Sequence, residues 1–509
     1  MAILGNIIKS ALEFSEKALP EASPVEEQKE VLLKLLKKAS ATAFGKYYGF
    51  SNILKSNNPE GDYSKSVPFH DYDAIYDRWW KQQIKGIGDI TWPGKPDYYA
   101  LSSGTTGSKP KKIPVTNDML NSIRKVGVMQ LLSVSNFDLP ANFFEKEIMM
   151  LGSSTDLNFS GDHYEGEISG ISASNIPSWF RGVYRPGVEI ASTDDWNERI
   201  SKIVEDAPSW DIGAISGIPS WNELMIKSIV KHYKLENIHE IWPDLSVFVS
   251  GGVAFGPYKK SFDKLLGKPI TVIDTYLASE GFLAYQSRPN KDRAMRLAVN
   301  AGIYFEFIPF DDKYFDDTGM ALPESPVVNL SGVKEGVDYA LVISTVSGAW
   351  RYLIGDTIKF TDVEKAEIVI TGRTKHFLNV VGSQLSVMKM NDAIKHIEEK
   401  FKMAIPEYTV SAVRESDGEY YHHWILGSEN AKDPTEVGVE LDKYLSEVNK
   451  NYNVARGKAL RGIKLKIVSP SVFYDWNETV KKKGGQVKMP RVMKEEDFIE
   501  YQEFIQQKV

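Results

Sequence analysis

The chain has 509 residues, more than one hydrophobic core usually organises, since single cores stop growing at about 250–300 residues. Its composition (42% hydrophobic, 25% charged, 38 Gly and 24 Pro) is that of a folded globular protein and excludes a disordered tail, a fibrous repeat or a coiled coil. A net charge of −7 argues against a dedicated nucleic-acid binder, and the absence of cysteine excludes disulfides, thiolate metal sites and a Cys nucleophile. The N-terminal apolar residues are interrupted by Lys9, Glu13 and Glu16-Lys17, a helix-face pattern rather than a secretory block. No stretch reaches the roughly 18 uncharged apolar residues of a membrane span, so a cytoplasmic protein without a membrane segment is expected.

In chain order, Pro20 and Pro24 precede an amphipathic helix from Val25 to about Ala41, with Leu32, Leu33, Leu35 and Leu36 on its apolar side. Trp79, Trp80, Trp92, Tyr98 and Tyr99 then crowd a short span, for which core packing is the expectation. Further on, apolar runs predict strands at Glu147–Leu151, Leu245–Ser250, Ile270–Tyr276, Gly302–Ile308, Tyr339–Thr345 and Ala366–Thr371. Helices are predicted at Asp118–Val134, Trp196–Asp206, Trp221–Tyr233 and Pro257–Leu266. This alternation predicts an α/β architecture with largely buried sheets. A second unit starts near Thr374, with helices at Val387–Lys402 and Thr435–Asn451 and strands at Glu407–Val413, Glu419–Gly427 and Ile463–Val468, a compact α+β module. The Lys481-Lys-Lys-Gly-Gly run is expected to be an exposed loop.

The most informative segment is Leu101-Ser-Ser-Gly-Thr-Thr-Gly-Ser-Lys-Pro-Lys-Lys-Ile-Pro114. Glycines and small hydroxyl residues let the backbone curl around an anion, presenting N–H and O–H donors together, and Lys109, Lys111 and Lys112 add positive charge. It is not a Walker A loop, because Pro110 follows Lys109 where that motif needs Ser or Thr and then a helix. Gly213-Ala-Ile-Ser-Gly217 has one residue too many before its serine for a nucleophile elbow. His422 and His423, adjacent on a predicted strand, point to opposite faces and cannot easily grip one metal.

Ser102-Ser103-Gly104-Thr105-Thr106-Gly107 resembles the phosphate-binding motif of the adenylate-forming superfamily, which includes acyl-CoA synthetases, adenylation domains and luciferases. Four further strings follow in that superfamily's order. Tyr276-Leu-Ala-Ser279-Glu280 is similar to its aromatic-x-x-Ser/Thr-Glu motif, with Leu277 where a small residue is usual. Trp350-Arg-Tyr-Leu-Ile-Gly-Asp356 resembles the ribose-binding aspartate motif, in which a carboxylate accepts two parallel hydrogen bonds from a vicinal diol. Gly372-Arg373-Thr-Lys375 resembles the inter-domain hinge motif. Gly485-Gln-Val-Lys488-Met-Pro-Arg491 resembles the mobile catalytic-lysine motif. Together with Thr42-Ala-Phe-Gly-Lys and Gly217-Ile-Pro-Ser-Trp221, these strings resemble the Gretchen Hagen family of auxin-responsive acyl acid amido synthetases over nearly the whole chain. Plant members run longer, which points to a bacterial member.

The resemblance implies a large N-terminal ATP- and acyl-acid-binding domain at residues 1–373 and a small mobile domain at 374–509. It implies ATP-dependent activation of a carboxylic acid as an acyl-adenylate, followed by transfer to the amine of an amino acid. Alternatives left open are an acyl-CoA ligase using the same first step and an inactive nucleotide-binding homologue. By the same resemblance, Ser102, Ser103, Gly104, Thr105, Thr106 and Gly107 hold phosphates, Tyr276 lies on adenine beside Ser279, Asp356 binds ribose and Arg373 contacts the nucleotide. Glu280 carries Mg2+, Lys375 is the pivot and Lys488 the catalytic lysine, while Phe159, Ser216 and Trp221 are candidates for the acyl pocket. ATP, Mg2+, a small carboxylic acid and an amino acid are the expected ligands; no nucleic acid or membrane partner is expected, and the chain is expected to be a monomer.

Overall fold

The computed structural model describes residues 3–17, 23–102, 110–315, 319–374, 377–378, 385–415, 419–430, 432–457, 460–480, 489–493 and 495–508. Ser103, Gly104, Thr105, Thr106, Gly107, Lys375, Lys488 and the Lys481-Lys-Lys-Gly-Gly run lie outside the described residues.

An eleven-stranded mixed sheet forms the backbone of the larger part. From one edge its order is Ile303–Pro309, Asp338–Thr345, Tyr352–Asp362, Glu367–Arg373, Met295–Leu297, Gly281–Tyr285, Thr271–Ala278, Val247–Gly251, Ile212–Gly217, Glu147–Leu151 and Tyr184–Arg185. The last five are mutually parallel and the remainder pair antiparallel. The parallel strands are linked by helices such as Trp196–Asp206 and Pro219–Tyr233, whose apolar faces (Ile200, Ile203, Val204; Met225, Ile226, Ile229) pack into one core with Ile215 and Phe248 of the sheet. A separate four-stranded sheet joins Lys111–Val115 to Tyr98–Ser102, Tyr164–Gly166 and Asn158–Phe159.

The helix Pro24–Ala39, after an N-terminal helix Ile3–Lys17, buries Leu32, Leu35 and Leu36 against the antiparallel half of the large sheet. Trp79, Trp80, Trp92 and Tyr99 are buried, as expected of core aromatics. Trp350 stands at the centre of this region, ringed by Phe44, Phe50, Tyr63 and Trp92, with its indole N–H donated to the Thr91 carbonyl at 3.0 Å.

Past residue 384 the chain forms a three-stranded sheet in the order Glu407–Arg414, Tyr420–Gly427, Leu460–Val468, covered by Val387–Phe401 and Pro434–Val448 on one side and by Pro470–Val480 and Glu495–Lys508 on the other. The α/β fold expected of the larger part and the α+β module expected after it are the fold observed. Predicted strands sit within three residues of their observed bounds. Strands the sequence does not predict include Tyr98–Ser102, Ile212–Gly217, Gly281–Tyr285 and the eleven-residue Tyr352–Asp362. The helix expected at Thr435–Asn451 divides at Asn449, whose side chain accepts from the Tyr452 N–H and starts a second helix, Lys450–Arg456.

Candidate active site

A cleft of about 2210 Å³ opens where four of the five parallel strands end. In open α/β sheets a crevice forms outside the carboxyl ends of the strands, where loops diverge. Here Leu151 and Gly152, Gly217 and Ile218, Gly251 and Gly252, and Ala278 and Ser279 leave four strands at that edge and line the cleft together.

Thr271–Ala278 and Gly281–Tyr285 form a hairpin with Ala278 opposite Gly281, so Ser279 and Glu280 are its two-residue turn. Gly281 has φ +152°, and a Cβ there would meet Ile303 at 2.9 Å, so the turn depends on glycine. The turn presents Glu280 to the cleft while leaving it only 8% exposed. Burial pushes its carboxyl up to about 7, the nearby Asp356 charge adds to the rise, and Lys111 and Arg373 oppose it. The Tyr352 hydroxyl hydrogen-bonds to Glu280, and burial holds that phenol well above its usual range.

Asp356 stands directly across the ladder from Arg373. Its strand carries a bulge: Ala340 pairs with Thr357 and Val342 with Leu353, so three residues of one strand oppose five of the other. Gly355 inside the bulge has φ +87°, and such bulges re-aim side chains. The Asp356 carboxylate accepts from Arg373 Nε at 2.6 Å on Oδ1 and from the Tyr276 hydroxyl on Oδ2. The Asp356 charge holds the Arg373 guanidinium above its usual range, and burial together with Asp356 does the same for the Tyr276 phenol. Each carboxylate oxygen keeps a second lone-pair direction for a ligand hydroxyl.

Ser102 and Lys111 pair across the hairpin that carries the Ser/Gly/Thr loop, and both line the cleft. The Lys111 ammonium lies 5.2 Å from the centroid of the Tyr72 ring. Behind it, Lys112 pairs with Glu165 at 2.5 Å, and His163 bridges Glu165 and Asp162 at 2.9 and 2.7 Å. These contacts tie the exit of the loop to the strand Tyr164–Gly166.

Ser102, Ser216, Tyr276, Ser279, Glu280, Asp356, Arg373 and Phe159 thus share one cleft. Trp221 does not line it. It packs on Trp196 with ring centroids 4.4 Å apart, because its place on Pro219–Tyr233 turns it to a smaller neighbouring cavity. Phe159 is 57% exposed at the rim. The apolar arm of the cleft is built instead from Leu131, Phe144, Ile148, Ile168, Phe180 and Val249. Tyr352 was not singled out from the sequence, although it stands four residues before Asp356. Arg351 beside it is structural: 3% exposed, it pairs with Glu306 at 2.9 Å and donates to the Ser64 and Val67 carbonyls at 2.6 and 2.7 Å.

Two features bear on a bound group. Ser250 Oγ, in the cleft wall, is buried without a partner among the described residues, as a polar ligand's binding group can be. No cluster of three or more His, Asp or Glu suited to a metal occurs among the described residues. Mg2+ usually takes one or two protein carboxylates plus substrate phosphates and water, and Glu280 is one of the carboxylates that line the cleft. No described helix is long and apolar enough to cross a membrane.

Models of the GH3 family N-terminal, central and C-terminal domains match residues 19–200, 297–373 and 388–497. Among curated proteins the chain is similar to an indole-3-acetic acid-amido synthetase, GH3.17, of Arabidopsis thaliana, 27% identical over 292 residues and covering 50% of this chain and 48% of the relative. It is also similar to the synthetase GH3.8 of Oryza sativa subsp. indica, 26% identical over 277 residues, covering 50% and 44%. The chain spans about half the length of these curated relatives. Among solved structures, GH3.15 acyl acid amido synthetase in complex with 2,4-DB superposes with a TM-score of 0.79 at 18% identity, covering 97% of this chain and 96% of that one. A 2-hydroxyisobutyryl-CoA ligase in the postadenylation state gives 0.60 at 14% identity, covering 96% and 93%; both likenesses concern the fold. With three successive domain models of one family matched in order along it, the chain belongs to the GH3 family.

Proposed function

We propose that the protein is an ATP-dependent ligase that activates a carboxylic acid as its acyl-adenylate and passes the acyl group to the amine of an amino acid. A carboxylate resists nucleophiles because its charge repels them and oxide is a poor leaving group. Joining it to AMP, with loss of pyrophosphate, gives a mixed anhydride whose leaving group is stable. Attack by an amine then forms the C–N bond, breaks the acyl C–O bond, and releases AMP and a proton.

The observation that carries this reading is the convergence of Ser102, Lys111, Glu280, Asp356 and Arg373 on one cleft from four separate stretches of the chain. In this reading Ser102, Ser103, Thr105 and Thr106, with the backbone N–H groups of Gly104 and Gly107, hold the β- and γ-phosphates. Tyr276 and Ser279 border the adenosine, Asp356 receives the ribose hydroxyls, and Arg373 orients Asp356 and the nucleotide. Glu280 would hold Mg2+, which when bound offsets phosphate charge. Lys488 neutralises the carboxylate and α-phosphate as they meet; such preorganised charge supplies on the order of a few kcal/mol per group. The acid lies in the apolar arm with Ser216 at its wall. Division at residues 373/374 with Lys375 as pivot belongs to the same reading, supported by the hydrophobic clusters of the described residues, none of which draws from both sides. So does a cytoplasmic monomer, for which size-exclusion chromatography tests the oligomeric state.

The test is a screen of aryl, indolyl and aliphatic acids for acid-dependent ATP–pyrophosphate exchange, followed by product masses with amino acids or with coenzyme A as acceptor. Exchange with some acid and an amide product supports the proposal. A thioester product assigns a CoA ligase instead, and no exchange with any acid, with ATP still bound, assigns an inactive homologue.

A further inference from the structure

Among the described residues, no buried hydrophobic cluster draws on both the chain before residue 369 and the chain after residue 384, so the two parts meet without a shared core. Interfaces of that kind are weak enough for relative motion to be the default. Among the described residues, Lys260 Nζ reaches the Met403 carbonyl at 3.3 Å across this one, and the buried Tyr258 hydroxyl crosses it as well. Tyr258 follows the cleft-lining segment 251–254 and is 2% exposed within the larger part's core. Its hydroxyl donates to Glu407 Oε1 at 2.5 Å, across 149 residues of sequence. The other oxygen of Glu407 receives Arg491 Nη1 at 2.8 Å, and Arg491 also donates to the Tyr408 carbonyl at 3.0 Å while its guanidinium lies 4.5 Å from the centroid of the Tyr408 ring.

The same segment is held by its backbone. The Val410 N–H donates to the Arg491 carbonyl at 3.0 Å, the Met493 N–H to the Val410 carbonyl at 2.9 Å, and Thr409 Oγ1 to the Pro490 carbonyl at 2.7 Å. Met489–Met493 is thereby laid along the strand Glu407–Arg414, and all five of its residues line the cleft. Glu407 is the joint: 6% exposed, it has one oxygen on each part. A buried carboxylate of this sort is stable only while both its donors are present.

We propose that Tyr258 is a positioning residue, docking the Met489–Met493 segment against the cleft through Glu407 and Arg491. This rests on the reading above, in which the residue before Met489 supplies the charge that brings carboxylate and phosphate together. Tyr258 touches no substrate; its hydroxyl favours the docked arrangement in which the acid can be activated.

Tyr258→Phe removes that hydroxyl and leaves the ring in place. Acid-dependent ATP–pyrophosphate exchange should fall about tenfold at saturating substrates, as expected for one lost hydrogen bond to a buried charge. The KM for ATP should stay at the parental value, because the nucleotide contacts are untouched, and the Tm should hold, because undocking lets the Glu407 carboxylate reach water instead of leaving it stranded. In a Lys488→Ala background the same substitution should cost nothing further, since it acts through that segment. Thr409→Val, which removes the hydroxyl on the Pro490 carbonyl, should reproduce the defect. Parental exchange in both Tyr258→Phe and Thr409→Val overturns the proposal, as does a loss that tracks a lowered Tm or that adds in full to the Lys488→Ala loss. A Lys488→Ala enzyme with parental exchange refutes the role of that lysine, and this proposal with it.

Discussion

Replacing Glu280 by glutamine should stabilise the protein while removing its activity. The carboxyl is raised from an ordinary 4.5 to about 7, chiefly by burial, so the folded state holds its proton over a pH range in which the unfolded chain has lost it. Stability therefore falls as pH rises from about 4.5, and the full penalty stands above pH 7. A rise of 2.5 units (7 − 4.5) corresponds to about 3 kcal/mol at 1.36 kcal/mol per unit. Glutamine is nearly isosteric and uncharged, and its carbonyl can still accept from Tyr352. With roughly 2.1 cal/mol/K of unfolding entropy per residue over residues 1–373, the gain is a rise of about 4 °C in Tm at pH 8. At pH 5, where the parent's carboxyl is protonated in the fold and about a quarter protonated in the unfolded chain, the difference should fall below about 1 kcal/mol. Differential scanning calorimetry of both proteins from pH 5 to pH 8, without nucleotide, reads this directly. A variant no more stable than the parent at pH 8, or a gain that does not shrink toward pH 5, refutes the argument that burial strains this carboxylate. Mg2+ with ATP should then raise the Tm of the parent more than that of the variant.

Asp356→Asn should weaken ATP binding about 100-fold in equilibrium titration, since two charge-assisted contacts are lost and Arg373 is left without its 2.6 Å partner. Arg351→Ala should destabilise the fold by about 3–5 kcal/mol, by stranding the buried Glu306; urea unfolding checks this, and an unchanged midpoint would show that the pair is not structural. Ser216→Leu, projecting into the cleft, should lower exchange with bulky acids more than with small ones, read as the ratio of kcat/KM between them.

The parts of the fold legible in the sequence were those whose pattern is local. Strands buried on both faces, such as Ile303–Pro309 and Asp338–Thr345, read as near-continuous apolar runs. The strand Tyr352–Asp362 escaped notice because Gly355 and Asp356 interrupt its pattern at the bulge that aims Asp356 into the cleft. The feature that serves the site hid the element. His422 and His423 do face opposite ways, one fully buried and the other paired with Glu415 at 2.8 Å. Trp221 turns to Trp196 rather than to the cleft, because which side of a helix meets a cleft depends on what packs behind it, a contact with no local signal. Pairings such as Tyr258 with Glu407 have no local signal, since only the folded chain brings together residues so far apart in sequence.

The account's central claim is that the acid's own oxygen becomes bonded to the α-phosphorus of ATP. An acid labelled with 18O in its carboxylate, incubated with the enzyme, ATP, Mg2+ and an amino acid acceptor, tests it in one turnover by the mass of the nucleotide released. The claim predicts AMP carrying one 18O and an amide retaining the other. AMP free of label beside a labelled product, or ADP in place of AMP, would contradict it.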